Sequence, residues 1–281
     1  ENMVHENEAA ERLYKICANE NIYPSKEVKE GKIEAFASVD GYFQIDVDRL
    51  DEINSIGDIM IATRHSGTAV KAGDKLAGMR VIPLIVEDEK LKEAEKIFNG
   101  QPILKVTPYK LKKAGVITTG SEVYKGIIKD TFTPVIEEKL NGFGIQMTEH
   151  IVVDDGMENI VNAINVLKTK DIDMILCTGG MSVDPDDNTP GAIKKSGAEI
   201  VTYGAPVLPG AMFLLGYYEN GMPVMGLPGC VMYAGATVFD LVLPKIAAGI
   251  KVTKKDIVKM GNGGLCLSCG ECTYPICPFG K

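Results

Sequence analysis

No run in this 281-residue chain approaches the ~18 continuous apolar residues of a helical membrane span, so no membrane partner is expected. An excess of basic charge is missing too. The 30 Lys and Arg face 38 Asp and Glu, for a formal net charge of -8 and a pI near 5.1. That balance excludes a broad phosphate-tracking surface, and with it nucleic acid as a partner. A small anionic ligand is not excluded, because a few backbone dipoles and one or two lysines hold one locally. Residues Glu1 to Ala10 are too acidic for a signal peptide, and the chain opens on Glu1 rather than Met, as a trimmed chain would. These absences lead to the expectation of a cytoplasmic globule without stable disulfides. The 45% hydrophobic content supports one large domain or two smaller ones.

Residues 1–108 read as a small, mainly β domain with flanking helices. A charged helix-compatible opening, Glu6 to Asn19, precedes the runs KIEAFASV, YFQIDV, DIMIATR and GMRVIPLIV, separated by glycine turns. An amphipathic stretch, Glu87 to Phe98, predicts a connecting helix. From about residue 109 to 255 the pattern becomes strand, turn, helix. Strands are expected at Ala114–Thr118, Gln146–Val153, Met174–Cys177, Glu199–Tyr203 and Pro223–Gly226. Helices are expected at Asp130–Asn141, Met157–Lys168, Pro190–Ser196 and Val231–Ala248. This alternation implies an α/β fold with a mostly parallel sheet and helices on both faces. Ligands of such sheets sit beyond the strand C-terminal ends, so the TTGS, VVDD, CTGGMS and GLPGC turns are predicted to converge on one edge.

Two of those turns, within GVITTGSEVYKGIIKD and CTGGMSVDPDDNTPGAI, combine glycines with hydroxyl residues where a strand gives way to a helix. Backbone N–H groups freed there suit an anion, and glycine lets it come close. Each residue also has a plainer reading. The glycines fit ordinary tight turns, and Asp154 and Asp187 fit helix capping. Glu122, Lys125 and Lys129 fit exposed helix positions.

In this order, TTGSEV, the helix start at Asp130, VVDD, TGGMS, DNTP, P-G and GLPG resemble the molybdopterin-binding domain of molybdenum-cofactor biosynthesis proteins, over roughly Ala114 to Ala248. The resemblance implies molybdopterin or adenylylated molybdopterin as ligand, a small-molecule pterin with its nucleotide. By motif position it is held by Thr119, Gly120, Ser121, Glu122, Thr178, Gly179, Gly180, Met181, Ser182, Pro209, Gly210, Pro228 and Gly229. It further implies that Asp154 and Asp187 are catalytic and hold Mg2+ at the reacting phosphates, and that the protein is a homo-oligomer, dimer or trimer. The D-x-T-P element is typical of the adenylyltransferase branch. APVLPG and PVMGLPGC look like the molybdenumtransferase branch, although Leu208, Met212 and Cys230 depart from its lysine and asparagine. The competence-damage family shares a GG and DD-x-T pattern that Asp186-Asp187 fits. The leading expectation is a transferase acting on adenylylated molybdopterin. The alternatives are a molybdopterin adenylyltransferase and a non-catalytic carrier or sensor.

Cys17, Cys177 and Cys230 sit among apolar or glycine neighbours and read as buried reduced thiols. The other four cysteines fall in residues 256–281, a Cys-rich tail. Cys266, Cys269, Cys272 and Cys277 follow C-x2-C-x2-C-x4-C-P spacing, which suits a 4Fe-4S cluster or Zn. Gly263-Gly264 suggests a hinge, leaving the tail free to dock on a molybdoenzyme or a maturation partner.

Overall fold

The computed structural model describes residues 2–182, 184 and 187–281. Asp186, one of the two aspartates that fit the competence-damage pattern, lies outside the described residues. The chain forms two compact units, Glu1–Tyr109 and Lys110–Lys281.

In the first unit the order is β1 (Met3–His5), α1 (Glu6–Cys17), β2 (Ile22–Pro24), β3 (Lys32–Ala37), β4 (Gly41–Ile45), α2 (Val47–Ser55), β5 (Ile59–Thr63), β6 (Thr68–Val70), β7 (Lys75–Val81), β8 (Ile85–Glu87), α3 (Asp88–Phe98) and β9 (Leu104–Pro108). Antiparallel sheets β2-β3-β7-β5 and β6-β4-β9, with the pair β1-β8, enclose a core that includes Leu13, Phe43, Met79 and Leu91. The run YFQIDV ends earlier than its apolar residues suggest. Asp46 accepts a 3.1 Å bond from the Arg49 N–H, and this cap starts a helix at Val47.

The second unit runs β10 (Lys113–Thr119), α4 (Ser121–Tyr124), α5 (Phe132–Asn141), β11 (Gln146–Val153), α6 (Met157–Leu167), β12 (Met174–Thr178), α7 (Thr189–Lys195), β13 (Glu199–Tyr203), β14 (Leu214–Tyr217), β15 (Pro223–Leu227), a 3-10 turn at Gly229–Met232, α8 (Val238–Ala247) and α9 (Lys254–Lys259). Its six strands lie in the order β11-β10-β12-β15-β14-β13. Pairings among β11, β10, β12 and β15 are parallel, whereas β14 is antiparallel to both neighbours. The sheet is therefore mostly parallel, as expected, with one reversed strand, β14, that makes it mixed. The reason is local. A tight turn, in which the Tyr218 N–H donates to the Met222 carbonyl at 3.0 Å, joins β14 to β15 and leaves no room for a helical crossover.

Side chains alternate along β10. Ile117 faces the apolar cluster of α6 and α7, while Thr118 meets Thr133 of α5 on the other face. The predicted helix from Val231 is broken at Gly235. Its continuation, α8, starts from a capping box in which Thr237 and Asp240 bond reciprocally.

The tail is not a hinged appendage. Leu208 and Leu265 bridge in parallel, with the Leu208 N–H donating to the Gly264 carbonyl and the Cys266 N–H to the Leu208 carbonyl, both at 2.8 Å. Phe279 is buried, and the Tyr274 hydroxyl donates to the Asp240 carbonyl at 3.1 Å. Gly263 and Gly264 are close-approach positions. A Cβ would lie 2.3 Å from the Lys281 carbonyl oxygen in the first case and 2.4 Å from that of Met260 in the second. Among the described residues no helix is long and apolar enough to cross a membrane.

Candidate functional site

Because β10, β11, β12 and β15 run parallel, their last residues, Thr119, Val153, Thr178 and Leu227, bring their loops to one edge of the sheet. Backbone and side-chain bonds stitch three of those loops together. The Gly120 N–H donates to the Val153 carbonyl at 3.2 Å, and the Ser121 N–H to Asp155 Oδ2 at 2.8 Å. Asn188 Nδ2 donates to the Asp155 carbonyl at 2.9 Å, and Thr189 Oγ1 to the Gly179 carbonyl at 2.8 Å.

Gly179 and Gly180 are required by both conformation and space. Their φ values are +83° and +56°, and a Cβ on Gly179 would lie 2.4 Å from the Thr119 carbonyl oxygen. Thr119 Oγ1 sits beside them. It is buried and, among the described residues, without a hydrogen-bond partner, a condition it shares with Thr107 Oγ1 of β9. An unmet buried hydroxyl costs about 1–3 kcal/mol. Thr119 is thus a place where a ligand oxygen gains a donor that the protein does not use itself.

The other predicted ligand residues divide. Thr178, the counterpart of Thr119, is fully buried and its hydroxyl points to the Ile117 carbonyl at 3.4 Å, so it offers nothing at the surface. Met181 packs in the core, where its sulfur would meet a Cβ on Gly226. Gly210 lies against the start of α8, 2.7 Å from Val238 Cγ1 if given a Cβ, and Pro228 is buried. Those positions pack within the edge. Ser121 is partly open, and Glu122, Ser182 and Gly229 are exposed; a Cβ on Gly229 would meet nothing within 4 Å. The α4 segment is only four residues long, too short to add much of a helix dipole at Ser121.

The two carboxylates do not cap helices. Asp154 Oδ1 accepts from Asn159 Nδ2 at 2.7 Å and from the Gly156 N–H at 2.9 Å. These bonds, with the charge of Lys125 nearby, hold Asp154 below the ordinary carboxylate range. Asp187 Oδ2 accepts from the Asp184 N–H at 3.2 Å. Its charge, after burial, helps push the Tyr203 phenol up, and that phenol donates to the Met181 carbonyl at 3.0 Å.

The sequence reading passed over a second polar group. On the face opposite Thr119, Thr118 Oγ1 lies 2.9 Å from His150 Nε2, 3.1 Å from Thr133 Oγ1 and 3.2 Å from Asp130 Oδ2. Burial pushes Asp130 up, but bonds from Thr133, Phe132 and Thr118 outweigh it and hold the carboxyl below its usual range. Period-two alternation along VITT separates the two threonines onto opposite faces, the only signal for this cluster in the sequence.

All four tail cysteines line one cavity of about 220 Å³, next to Pro209 and Gly235. They do not already form a ligand shell, since among the described residues no three His, Cys, Asp or Glu are grouped to hold a metal ion. A larger cavity, about 860 Å³, lies at the other end of the sheet beside Asp173, Glu199 and Tyr217, with none of the turn motifs.

Residues 115–248 match the family described as "Probable molybdopterin binding domain". Among curated proteins, a CinA-like protein of Pseudothermotoga lettingae is 41% identical over 86 residues, 31% of this chain and 21% of that one. A protein named as competence-damage inducible in Bacillus cereus is 35% identical over 95 residues, 34% of this chain and 23% of that one. The chain thus spans about a fifth of the length of these curated relatives. Among solved structures, the molybdopterin biosynthesis enzyme MoaB of Thermus thermophilus aligns with 50% of this chain and 98% of its own, at 20% identity and a TM-score of 0.43. The stretch from Gly115 to Ala248, which holds the stitched glycine turns, is the part of the chain that matches this family.

Proposed function

We propose that the second unit binds molybdopterin or adenylylated molybdopterin with its phosphates on the turns Thr119–Ser121 and Gly179–Ser182, and that the protein acts as a molybdenumtransferase-like enzyme on the adenylylated form. The observation that carries this reading is the orphaned Thr119 hydroxyl beside two glycines that cannot bear a Cβ. It supplies a buried donor next to backbone that a phosphate oxygen can approach.

Asp154 and Asp187, on the second and third of the stitched loops, are the residues that would hold magnesium. Two carboxylates completed by substrate phosphates suit this ion, which rarely takes an all-protein cage. When bound, magnesium neutralises charge on phosphoryl oxygens. The protein's own part is to orient the pterin phosphate through Thr119 and the Gly179-Gly180 backbone, and to keep Asp154 ionised through Asn159 and Gly156.

The test is incubation of the purified chain with adenylylated molybdopterin, Mg2+ and molybdate, with AMP measured by chromatography. AMP release by the wild type, lost in Asp187→Ala while pterin binding remains, is the expected result. A second reading, a non-catalytic pterin carrier or sensor, is favoured by Leu208 and Cys230, which stand where the transferase branch has lysine and asparagine. Saturable binding with no AMP released would select it. Formation of the adenylate from molybdopterin and ATP would instead select an adenylyltransferase.

A further inference from the structure

We propose that Cys266, Cys269, Cys272 and Cys277 ligate one thiolate-bound metal centre, seated against the Pro209 loop and the segment around Gly235. The starting point is that all four line the same small cavity. Its lining contains no lysine, arginine, aspartate or glutamate; the remaining surface is largely apolar, from residues such as Leu265, Tyr274 and Phe279. Four thiols without a competing charged side chain are the donor set that soft metals take.

Local backbone geometry explains how so short a segment presents them together. Ser268 has φ of 51°, a left-handed turn between Cys266 and Cys269 that bends the chain around the cavity. Cys272 packs so tightly on Gly235 that a Cβ there would lie 2.6 Å from its sulfur. Only glycine admits that cysteine to the cavity wall.

The segment is fixed on both sides. Before it, Gly264 and Cys266 hydrogen-bond to Leu208; after it, Phe279 is buried and the Gly280 N–H donates to the Gly263 carbonyl at 2.9 Å. Between these anchors, among the described residues, there is no helix or strand from Cys266 to Cys277. The sulfurs are not yet grouped at metal-holding separations. Drawing them inward therefore moves only irregular chain while the anchors stay. Each thiol releases its proton on ligation, and the metal charge offsets the thiolates.

Three cysteines at successive two-residue gaps with a fourth before proline follow an iron–sulfur run more closely than the two separated pairs usual in structural zinc sites. The shared chemistry is thiolate coordination, and metal analysis separates the two sources. The centre does not depend on the pterin reading, since none of its ligands belongs to the Thr119 or Gly179 turns.

The experiment uses the full chain purified without oxygen from cells supplied with iron and zinc. Iron, zinc and acid-labile sulfide per chain are measured, with the visible spectrum. About four irons and four sulfides with visible charge-transfer absorption identify a cluster; about one zinc without sulfide identifies a zinc centre. Either result supports the proposal, provided Cys269→Ser loses most of the metal. Cys269 is exposed, so the serine is expected to leave the fold intact. As a second readout, alkylation with mass spectrometry is expected to find the four tail thiols protected until a chelator is added. Only trace metal in the wild type, an unchanged metal content in Cys269→Ser, or equal alkylation with and without chelator would overturn it.

Discussion

Along one edge of the second unit's sheet, the β10–β11–β12 side and the β13–β14–β15 side are built by different means. The first side is polar and local. Each of its loops follows its own strand within a few residues, and the stitching bonds join backbone N–H and carbonyl groups to short side chains such as Asp155 and Asn188. The second side is apolar and assembled from afar, with Leu208 paired to Leu265 and the cysteine segment closing a cavity over Pro209 and Gly235. The matched family region, residues 115–248, contains all the loops of the first side but stops short of the tail. One edge therefore combines a set of polar, stitched loops with a thiol-lined wall.

Removing the anchor of the apolar side should have the largest effect. Phe279→Ala deletes a buried ring and is expected to cost about 3 kcal/mol, read as a lowered urea midpoint of the second unit. An unchanged midpoint would mean that the tail contributes nothing to the edge. On the polar side, Gly179→Ala must place a Cβ against the Thr119 carbonyl at positive φ, for an expected loss of about 2 kcal/mol and of pterin binding. Gly229→Ala has open space around it and should change stability by less than about 0.5 kcal/mol, so any fall in its pterin affinity reports ligand contact directly.

Thr119→Val sharpens the contrast, because its two readouts should move in opposite directions. Losing an unmet hydroxyl should leave stability unchanged or raised, while affinity for molybdopterin falls by about tenfold, or ~1.4 kcal/mol. The smallest effect is on pH. Asp130 has a depressed folded-state pKa, so its contribution is present above the unfolded value and lost as pH falls through the folded one. Acid denaturation of the second unit below about pH 4 should be shallower in Asp130→Asn than in the wild type.

The same contrast explains what the sequence could convey. The strands at Gln146–Val153 and Glu199–Tyr203 were legible to the residue, since their patterns and flanking turns are local. The strand at Leu214–Tyr217 was not, because Leu-Leu-Gly-Tyr, four residues interrupted by a glycine, gives no period to read. Thr119-Gly120 and Thr178-Gly179 look alike as text. Only packing separates a hydroxyl left without a partner from one aimed at the Ile117 carbonyl. Gly263-Gly264 was misread as a hinge for a related reason. Glycine serves flexibility and close backbone approach equally well, and the backbone it approaches at Gly264, at Met260 and Pro206, is revealed only by the fold.

The most direct test of the pterin cradle is calorimetric titration of molybdopterin into the purified chain, run beside Thr119→Val at the same salt and pH. The expected result is saturable binding by the wild type and about tenfold weaker binding by the variant, whose thermal stability is equal or higher. Absence of binding in the wild type, or equal affinity in both proteins, would contradict the assignment of the Thr119 and Gly179-Gly180 turns to the pterin phosphate.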